Sequence, residues 1–217
     1  MTKDELRTMI REKRKNLSED YKAEANAEIA TRFLCYPIFQ QVDSIFCYVS
    51  IDEEPSTKEI IETAWQMGKL VTVPRCLPGP DHRMEAVQIM SWEDLEPGRY
   101  GILEPKAGLP VIDGYKLAMA VVPCVSADRY GHRLGHGAGY YDRWLHGQTL
   151  YKYGLCYGAL MVPEVPVDAQ DIPLDRVFSE EKIYNPRLAS DDLREELSEE
   201  LPSGGFRALL KGLFHRK

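Results

Sequence analysis

Four glycines lie within nine residues of the stretch DRYGHRLGHGAGYYDRWL, residues 128–145, which follows the apolar run LAMAVVP, residues 117–123. A short and nearly continuous apolar run is typical of a β-strand that is covered on both faces, as in a parallel sheet. The spacing of apolar residues in AGYYDRWL predicts that the glycine stretch runs into a helix. This order of strand, bare loop and helix indicates an α/β fold with a mostly parallel sheet.

Other segments fit the same fold class. Apolar residues at helical spacing predict helices near the start of the chain and before Gly68, which is well placed as a helix stop. Short runs rich in β-branched and aromatic residues predict further strands. The predicted helices are 3–16, 18–36 and about 58–67, the predicted strands are 42–50, 69–74, 83–90 and 151–158, and residues 95–105 are predicted to form an irregular loop.

Charge and composition exclude some classes of protein. The net charge of −7 argues against broad nucleic-acid binding, which needs a basic face, so any bound phosphate must be held locally. No apolar run approaches the roughly 20 residues of a membrane span, and the N-terminal residues lack the apolar core of a signal peptide. Five cysteines without a CxxC pair fit reduced thiols. We therefore expect a cytoplasmic protein.

The glycine stretch has two interpretations from spacing alone. Alternating Gly135, Gly137 and Gly139 remove the Cβ atoms that would keep an anion away, so that backbone N–H groups could converge on a phosphate. The following helix N-terminus and Arg133 would add favourable charge. The alternative is a tight structural turn packed under a strand.

Standard motifs do not account for this stretch. A Rossmann fingerprint needs a small residue where the chain has Tyr140, and no GK[ST] follows to complete a Walker loop. His132 and His136 are four residues apart, but they lie among glycines and not on an HExxH helix, which argues against a zinc site.

The C-terminal residues differ from the rest of the chain. Residues 189–200 carry six acidic side chains and one arginine, and residues 206–217 are basic with one apolar helical face. We predict a domain over residues 1–187 and a tail over residues 188–217. The last helix would dock on its own domain, or contact an anionic membrane surface or a partner.

Five segments together resemble one known family, the 5-formyltetrahydrofolate cyclo-ligases or methenyltetrahydrofolate synthetases. They are KDELR at 3–7, the EPST segment from Glu54, GILEP at 101–105, RLGHGAGYYDRWL at 133–145 and IPLDRVFSE at 172–180. The resemblance runs in order from about residue 3 to about residue 184 and leaves out the tail. The glycine, tyrosine and aspartate block is its most specific part.

The resemblance implies a three-layer α/β/α sandwich that uses MgATP to convert 5-formyltetrahydrofolate to 5,10-methenyltetrahydrofolate, with release of ADP and phosphate. ATP, Mg²⁺ and a reduced folate are the implied small-molecule partners, for a chain expected to be a monomer or a weak homodimer. The implied catalytic residues are Arg133, Tyr140 and Asp142, and the implied magnesium ligands are Asp142 and Asp175. The implied ATP-binding residues are Lys3, Arg7, Arg133, Leu134, Gly135, His136, Gly137, Ala138, Gly139, Tyr140 and Tyr141. The implied folate-binding residues are Val49, Glu54, Tyr100, His136, Gly137, Ala138, Gly139 and Tyr140.

Three positions depart from the usual pattern of that family. They are His136, Ala138 and Pro55. Members of the family often carry a basic residue at position 136 or 138, and its absence beside the phosphates could weaken ATP binding or shift the favoured substrate. Two rival functions therefore stay open at this point. One is a catalytically weak relative that binds nucleotide or folate, and the other is a metal-dependent hydrolase that uses His132, His136 and Asp142.

Overall fold

The structure, a computed structural model, describes residues 1–98 and 102–189. Its contacts divide the chain into two units, Met1–Pro186 and Arg187–Lys217. Because residues 190–217 lie outside the described residues, the amphipathic tail and its boundary stay predictions. No helix in the described part of the chain has the length and apolar character that crossing a bilayer requires.

The first two helices begin at side-chain caps. Thr2 and Glu5 form a capping box at the start of α1, and the Ser18 hydroxyl accepts a hydrogen bond from the Tyr21 N–H at the start of α2. The helices are α1 Lys3–Lys15, α2 Glu19–Leu34, α3 Pro37–Gln41, α4 Lys58–Gln66, α5 Tyr140–Leu145 and α6 Pro186–Ala189. The three predicted helices in the first half of the chain are confirmed as α1, α2 and α4. Pro37 begins the additional helix α3 at a position where proline costs no hydrogen bond.

Within residues 1–98 and 102–189, eight strands form the main sheet and four form two small ribbons. The strands are β1 Ser44–Cys47, β2 Leu70–Cys76, β3 Met84–Gln88, β4 Leu95–Pro97, β5 Leu103–Pro105, β6 Val111–Ile112, β7 Met119–Pro123, β8 Ser126–Ala127, β9 Arg133–Leu134, β10 Tyr151–Leu155, β11 Arg176–Phe178 and β12 Ile183–Tyr184. The order in the main sheet is β12-β11-β10-β7-β1-β2-β3-β6. The five strands from β11 to β2 are parallel, and β12, β3 and β6 pair antiparallel with their neighbours.

Helices cover both faces of this sheet. Phe46 on β1 stacks on Trp144 of α5, with 4.0 Å between ring centroids. Phe33 of α2 packs against Tyr153 on β10, which points to the opposite face because the parallel register aligns Tyr153 with Val121 and Val121 with Cys47. The predicted three-layer α/β/α sandwich is confirmed. All five residues of β7 are buried, as its apolar sequence predicts.

One prediction about local structure is wrong. The segment predicted as an irregular loop, residues 95–105, contains strands β4 and β5, which pair antiparallel with Leu95 opposite Pro105 and Pro97 opposite Leu103. Each strand is only three residues long and ends in proline. So short a run shows no alternating pattern in the sequence, because the pairing depends on packing of Leu95 and Pro105 in the interior.

Candidate active site

A cavity of about 1030 Å³ lies at the carboxyl ends of the parallel strands. Along the chain β1, β2, β7, β10 and β11 stand in the sheet order 2-1-3-4-5, so the direction of the connections reverses between β1 and β7. The cavity is lined there by Tyr48 and Val49 after β1, by Cys76 at the end of β2 and by Pro123 at the end of β7. Ligands of doubly wound α/β proteins bind at such a switch point.

A buried aspartate holds the start of the glycine stretch. Asp128 has no exposed surface, and its carboxylate accepts hydrogen bonds from the backbone N–H groups of Tyr130, His132 and Val165. The His132 ring nitrogen Nδ1 lies 3.0 Å from the same carboxylate. His132 thus serves the loop and is not part of the cavity lining, which removes one of the three residues that the hydrolase hypothesis requires. Sequence reasoning missed Asp128.

Two of the alternating glycines adopt backbone conformations that other residues avoid. Gly137 and Gly139 have φ angles of 108° and 71°, whereas Gly135 does not need a positive φ. Arg7 of α1 lies against this backbone: its Nε donates to the Gly135 carbonyl at 2.9 Å, and a Cβ on Gly137 would stand 3.4 Å from its guanidinium carbon. The glycine stretch therefore meets the first helix at the cavity.

Arg133 and Asp142 form an ion pair beneath the glycine stretch. Their side chains are 4% and 19% exposed, and Nη2 of Arg133 lies 2.8 Å from Oδ2 of Asp142. Neither Nε nor Nη2 of Arg133 has a hydrogen-bond partner among the described residues, so the contact is Coulombic and poorly aligned. Asp142 also accepts the Ile172 backbone N–H at 3.2 Å through its other oxygen. Buried donors without a partner indicate room for an additional acceptor.

Lys3 is held at the cavity wall by two carboxylates. Its ammonium group contacts Asp171 and lies 2.7 Å from Asp168. Burial alone would lower the pKa of Lys3, but the hydrogen bonds and charges of the two aspartates outweigh it and raise that pKa. All three side chains line the cavity. Sequence reasoning missed both aspartates because their loop carries no recognisable motif.

The EPST segment presents a buried carboxylate on another side of the cavity. Glu54 is 8% exposed, its Oε1 lies 3.3 Å from the His136 ring nitrogen Nε2, and its Oε2 accepts the Ile51 N–H at 3.3 Å. The Tyr157 hydroxyl donates to the Glu54 carbonyl at 3.1 Å, and the Tyr48 hydroxyl donates to the Pro55 carbonyl at 2.6 Å. These bonds fix the segment, so the carboxylate is preorganised.

The two tyrosines after the glycine stretch have different surroundings. Burial raises the pKa of the Tyr141 hydroxyl well above its ordinary value, and nearby Glu54 acts in the same direction. The Tyr141 ring also lies under the Arg133 guanidinium, with 5.6 Å from Cζ to the ring centroid. The Tyr140 ring contacts the His82 ring. His82 is another cavity residue that the sequence motifs do not include.

Most of the predicted site residues lie around this single cavity. Those that line it are Lys3, Arg7, Val49, Glu54, Arg133, Leu134, Gly135, His136, Gly137, Ala138, Gly139, Tyr140, Tyr141 and Asp142. Tyr100 lies outside the described residues. Asp175 is absent from the lining, and its carboxylate accepts the Lys152 N–H of β10 at 2.9 Å. The binding and catalytic roles of all these residues stay predictions.

No group of three or more histidine, cysteine, aspartate or glutamate side chains within residues 1–98 and 102–189 could hold a metal ion by itself. A dedicated protein cage of the zinc type is thus not found in this part of the chain. A magnesium ion that is held by one or two carboxylates and by substrate phosphates does not need such a group.

Comparison with known proteins gives relatives that share one family name. A family model described as the 5-formyltetrahydrofolate cyclo-ligase family matches residues 1–180. The 5-formyltetrahydrofolate cyclo-ligase of Escherichia coli strain K12 is 32% identical over 180 residues, which cover 81% of this chain and 99% of that protein. The enzyme of the same name from Haemophilus influenzae is 30% identical over 176 residues, with 79% and 94% covered.

Solved structures show the same fold. The NMR structure of Aquifex aeolicus 5,10-methenyltetrahydrofolate synthetase superposes with a TM-score of 0.76 at 27% identity, covering 93% of this chain and all of that one. A 5,10-methenyltetrahydrofolate synthetase from Mycoplasma pneumoniae gives a TM-score of 0.67 at 22% identity, with 83% and 99% covered, and supports the fold alone.

Proposed function

The chain belongs to the 5-formyltetrahydrofolate cyclo-ligase family, and on this premise we propose that its cavity holds ATP and the reduced folate together. The reaction of the family is the conversion of 5-formyltetrahydrofolate to 5,10-methenyltetrahydrofolate, and the protein is an enzyme that catalyses it. One observation carries the proposal for the site. The cations and glycines expected for a triphosphate and the carboxylate expected for a pterin line one cavity at the switch point of the sheet.

The phosphates of ATP would lie between the start of α1 and the glycine stretch. Lys3 and Arg7 come from α1, and Arg133 brings a buried guanidinium whose Nε has no hydrogen-bond partner among the described residues. The positive φ of Gly137 and Gly139 lets the backbone approach an anion without Cβ atoms between them. In the bound state Lys3 would exchange one of its aspartate contacts for a phosphate oxygen.

The residues also fit a magnesium ion that is bound with the nucleotide. Asp142 offers a partly buried carboxylate at the end of the glycine stretch, and Mg²⁺ commonly takes one or two carboxylates together with phosphate oxygens and waters. The ion would neutralise phosphate charge during phosphoryl transfer. Asp175 stays the proposed second ligand from the family pattern, although its carboxylate accepts a backbone N–H of β10.

The folate would occupy the side of the cavity that Glu54 and Val49 line. The Glu54 carboxylate is an acceptor that matches the N–H donors on the edge of a pterin, and its anchored segment holds it in place. His136 would then be displaced from Glu54 or would share it with the ligand. Tyr140 lies next to both regions and would border both substrates.

The proposed chemistry proceeds in two steps, a phosphoryl transfer and a ring closure. The formyl oxygen attacks the γ-phosphorus of ATP, ADP leaves, and the formyl carbon becomes activated as a phosphate ester. N10 of the folate then attacks that carbon and loses its proton to solvent, the ring closes, and the C–O bond to phosphate breaks so that inorganic phosphate leaves. Arg133 and Lys3 would stabilise the negative charge on the transferring phosphoryl group, while the glycine stretch would align it with the formyl oxygen.

A turnover assay tests this proposal. The purified protein is incubated with 5-formyltetrahydrofolate and MgATP, and the methenyltetrahydrofolate absorbance band is recorded together with ADP. We expect both products in equal amounts and no band without ATP. Arg133→Ala should raise the KM for ATP by about tenfold or more, whereas Arg11→Ala on the exposed side of α1 should not. Binding of both ligands without product would instead indicate a catalytically weak relative.

A further inference from the structure

The connection between β2 and β3 borders the cavity through His82. It spans residues 77–83, and the Leu77 N–H donates to the Arg83 carbonyl at 2.9 Å. His82 in this connection has a φ angle of 47°, which is the left-handed region, and no other non-glycine residue in the described part of the chain has a positive φ. A residue held in this region costs free energy, and such residues concentrate at functional sites.

The imidazole ring of His82 makes few favourable contacts that would compensate for this free energy. Its Nδ1 is enclosed without a hydrogen-bond partner, which is a further cost for a polar atom. The contact that the ring does make is with Tyr140, at 5.1 Å between centroids and 75° between planes. This is the edge-to-face arrangement that aromatic pairs favour.

Tyr140 lies at the junction of the glycine stretch and α5. It is the first residue of α5, and the cap before it, Gly139, makes no side-chain hydrogen bond. Its ring is partly buried and packs against the core. A ring pressed against Tyr140 from the β2–β3 connection would restrict the positions that its side chain can take.

We propose that His82 is a positioning residue for the reaction: its strained backbone holds the imidazole against Tyr140 and thereby fixes the tyrosine that borders the two substrates. This inference rests on the proposed function, because it assumes that Tyr140 contacts ligand. Histidine suits the position, since among aromatic rings it is the one that the left-handed region accommodates most readily. The φ angle and the enclosed nitrogen of His82 lower the stability of the protein, and the contact that they impose fixes the position of the Tyr140 side chain.

Two substitutions separate the effect of the His82 ring from the effect of its backbone angle. His82→Asn keeps a residue that tolerates a positive φ but removes the ring, and we expect kcat/KM for the folate to fall on the order of tenfold, mostly through kcat. His82→Phe restores a ring and should recover most of that loss. Asp81→Asn, an exposed neighbour in the same connection, should leave both constants unchanged. Thermal melting establishes that each variant is folded, and His82→Gly replaces His82→Asn if the latter is not.

A double-mutant cycle with Tyr140→Leu tests whether His82 acts through the tyrosine. If it does, the loss in the double variant equals the loss from Tyr140→Leu alone, because nothing remains to be positioned. Losses that multiply, or a His82→Asn variant with wild-type kcat, would overturn the inference while leaving the proposed function intact. A Tyr140→Leu variant with full turnover would overturn both the inference and the role of Tyr140. Absence of turnover in the wild type would refute the proposed function itself.

Discussion

Asp142→Asn is the substitution that most directly tests the proposed site. It replaces one carboxylate oxygen by an NH2 group and keeps the side-chain size. The remaining oxygen can still accept the Ile172 N–H that Asp142 accepts at 3.2 Å, so the loop keeps this anchor. What the substitution removes is the negative charge 2.8 Å from Arg133 and the proposed magnesium ligand.

The effect on stability follows from the burial of the ion pair. Breaking a fully buried pair by removing one partner costs about 3–5 kcal/mol, because an unpaired charge stays behind. Here Asp142 is 19% exposed and the Arg133 nitrogen lacks hydrogen-bond alignment, so part of the cost is already present. We expect the free energy of unfolding to fall by roughly 1–3 kcal/mol, which lowers the Tm by roughly 3–10 °C for a domain of this size.

The effect on catalysis should be much larger than the effect on stability. We expect kcat/KM for MgATP to fall by at least about 100-fold, because charge neutralisation at the transferring phosphoryl group is lost. The variant should also lose the rise in Tm that MgATP gives to the wild type. Initial rates from the methenyltetrahydrofolate band and thermal melts with and without MgATP measure both quantities.

A matched control makes the result interpretable. Asp20→Asn makes the same chemical change at an exposed position in the first turn of α2, and we expect wild-type rates and a Tm within about 2 °C. If Asp142→Asn lowers the Tm but keeps turnover, the aspartate is a structural partner of Arg133 and has no part in the mechanism. If both turnover and Tm are unchanged, the ion pair contributes nothing to stability or to catalysis.

Two further predictions concern the nucleotide side of the cavity. Gly139→Ala and Gly68→Ala both place a Cβ at a φ near 71°, so each should cost about 1–2 kcal/mol of stability, but only Gly139→Ala should raise the KM for ATP, by about tenfold. An equal KM in both variants would contradict the proposed role of the glycine stretch. Lys3→Met should lower stability by an amount that is constant from neutral pH up to about pH 10.5 and that disappears as the pH rises through the raised pKa of Lys3. The contribution of Asp168 and Asp171 is lost there because Lys3 becomes neutral. Urea unfolding at several pH values measures this difference, and a difference that persists at high pH would contradict the ion-pair explanation.

The fold could be predicted where periodicity or long apolar runs occur. The run at β7 and the helical spacing at α1, α2 and α4 directly indicated their elements, because burial of one face or both faces dictates those patterns. The ribbon of β4 and β5 could not be predicted, since three-residue strands carry no period. Short helix α3 was missed because Pro37 indicates equally the end of one helix and the beginning of another.

The residues of the site can likewise be divided into those that the sequence indicated and those that it did not. Glycine spacing and family motifs identified part of the cavity lining, on two sides of the cavity, including Glu54 and Arg133. Sequence patterns did not show Asp128, Asp171 or His82, because each acts through a contact between distant segments or through an unusual backbone angle. A single aspartate in a loop has no periodic signal that would distinguish a structural anchor from an exposed charge.

The contacts of the glycine stretch connect the two proposed binding regions of the cavity. Its Gly135 carbonyl accepts from Arg7 on the proposed nucleotide side, and one residue later His136 reaches Glu54 on the proposed folate side. A backbone shift on binding of a phosphate at Gly137 would therefore also change the surroundings of Glu54, the proposed acceptor for the pterin. ATP would then change the affinity for folate, and by thermodynamic linkage folate would change the affinity for ATP by the same factor. His136→Ala should bring that factor close to one, since it removes the contact between the loop and Glu54 while leaving Arg7 in place.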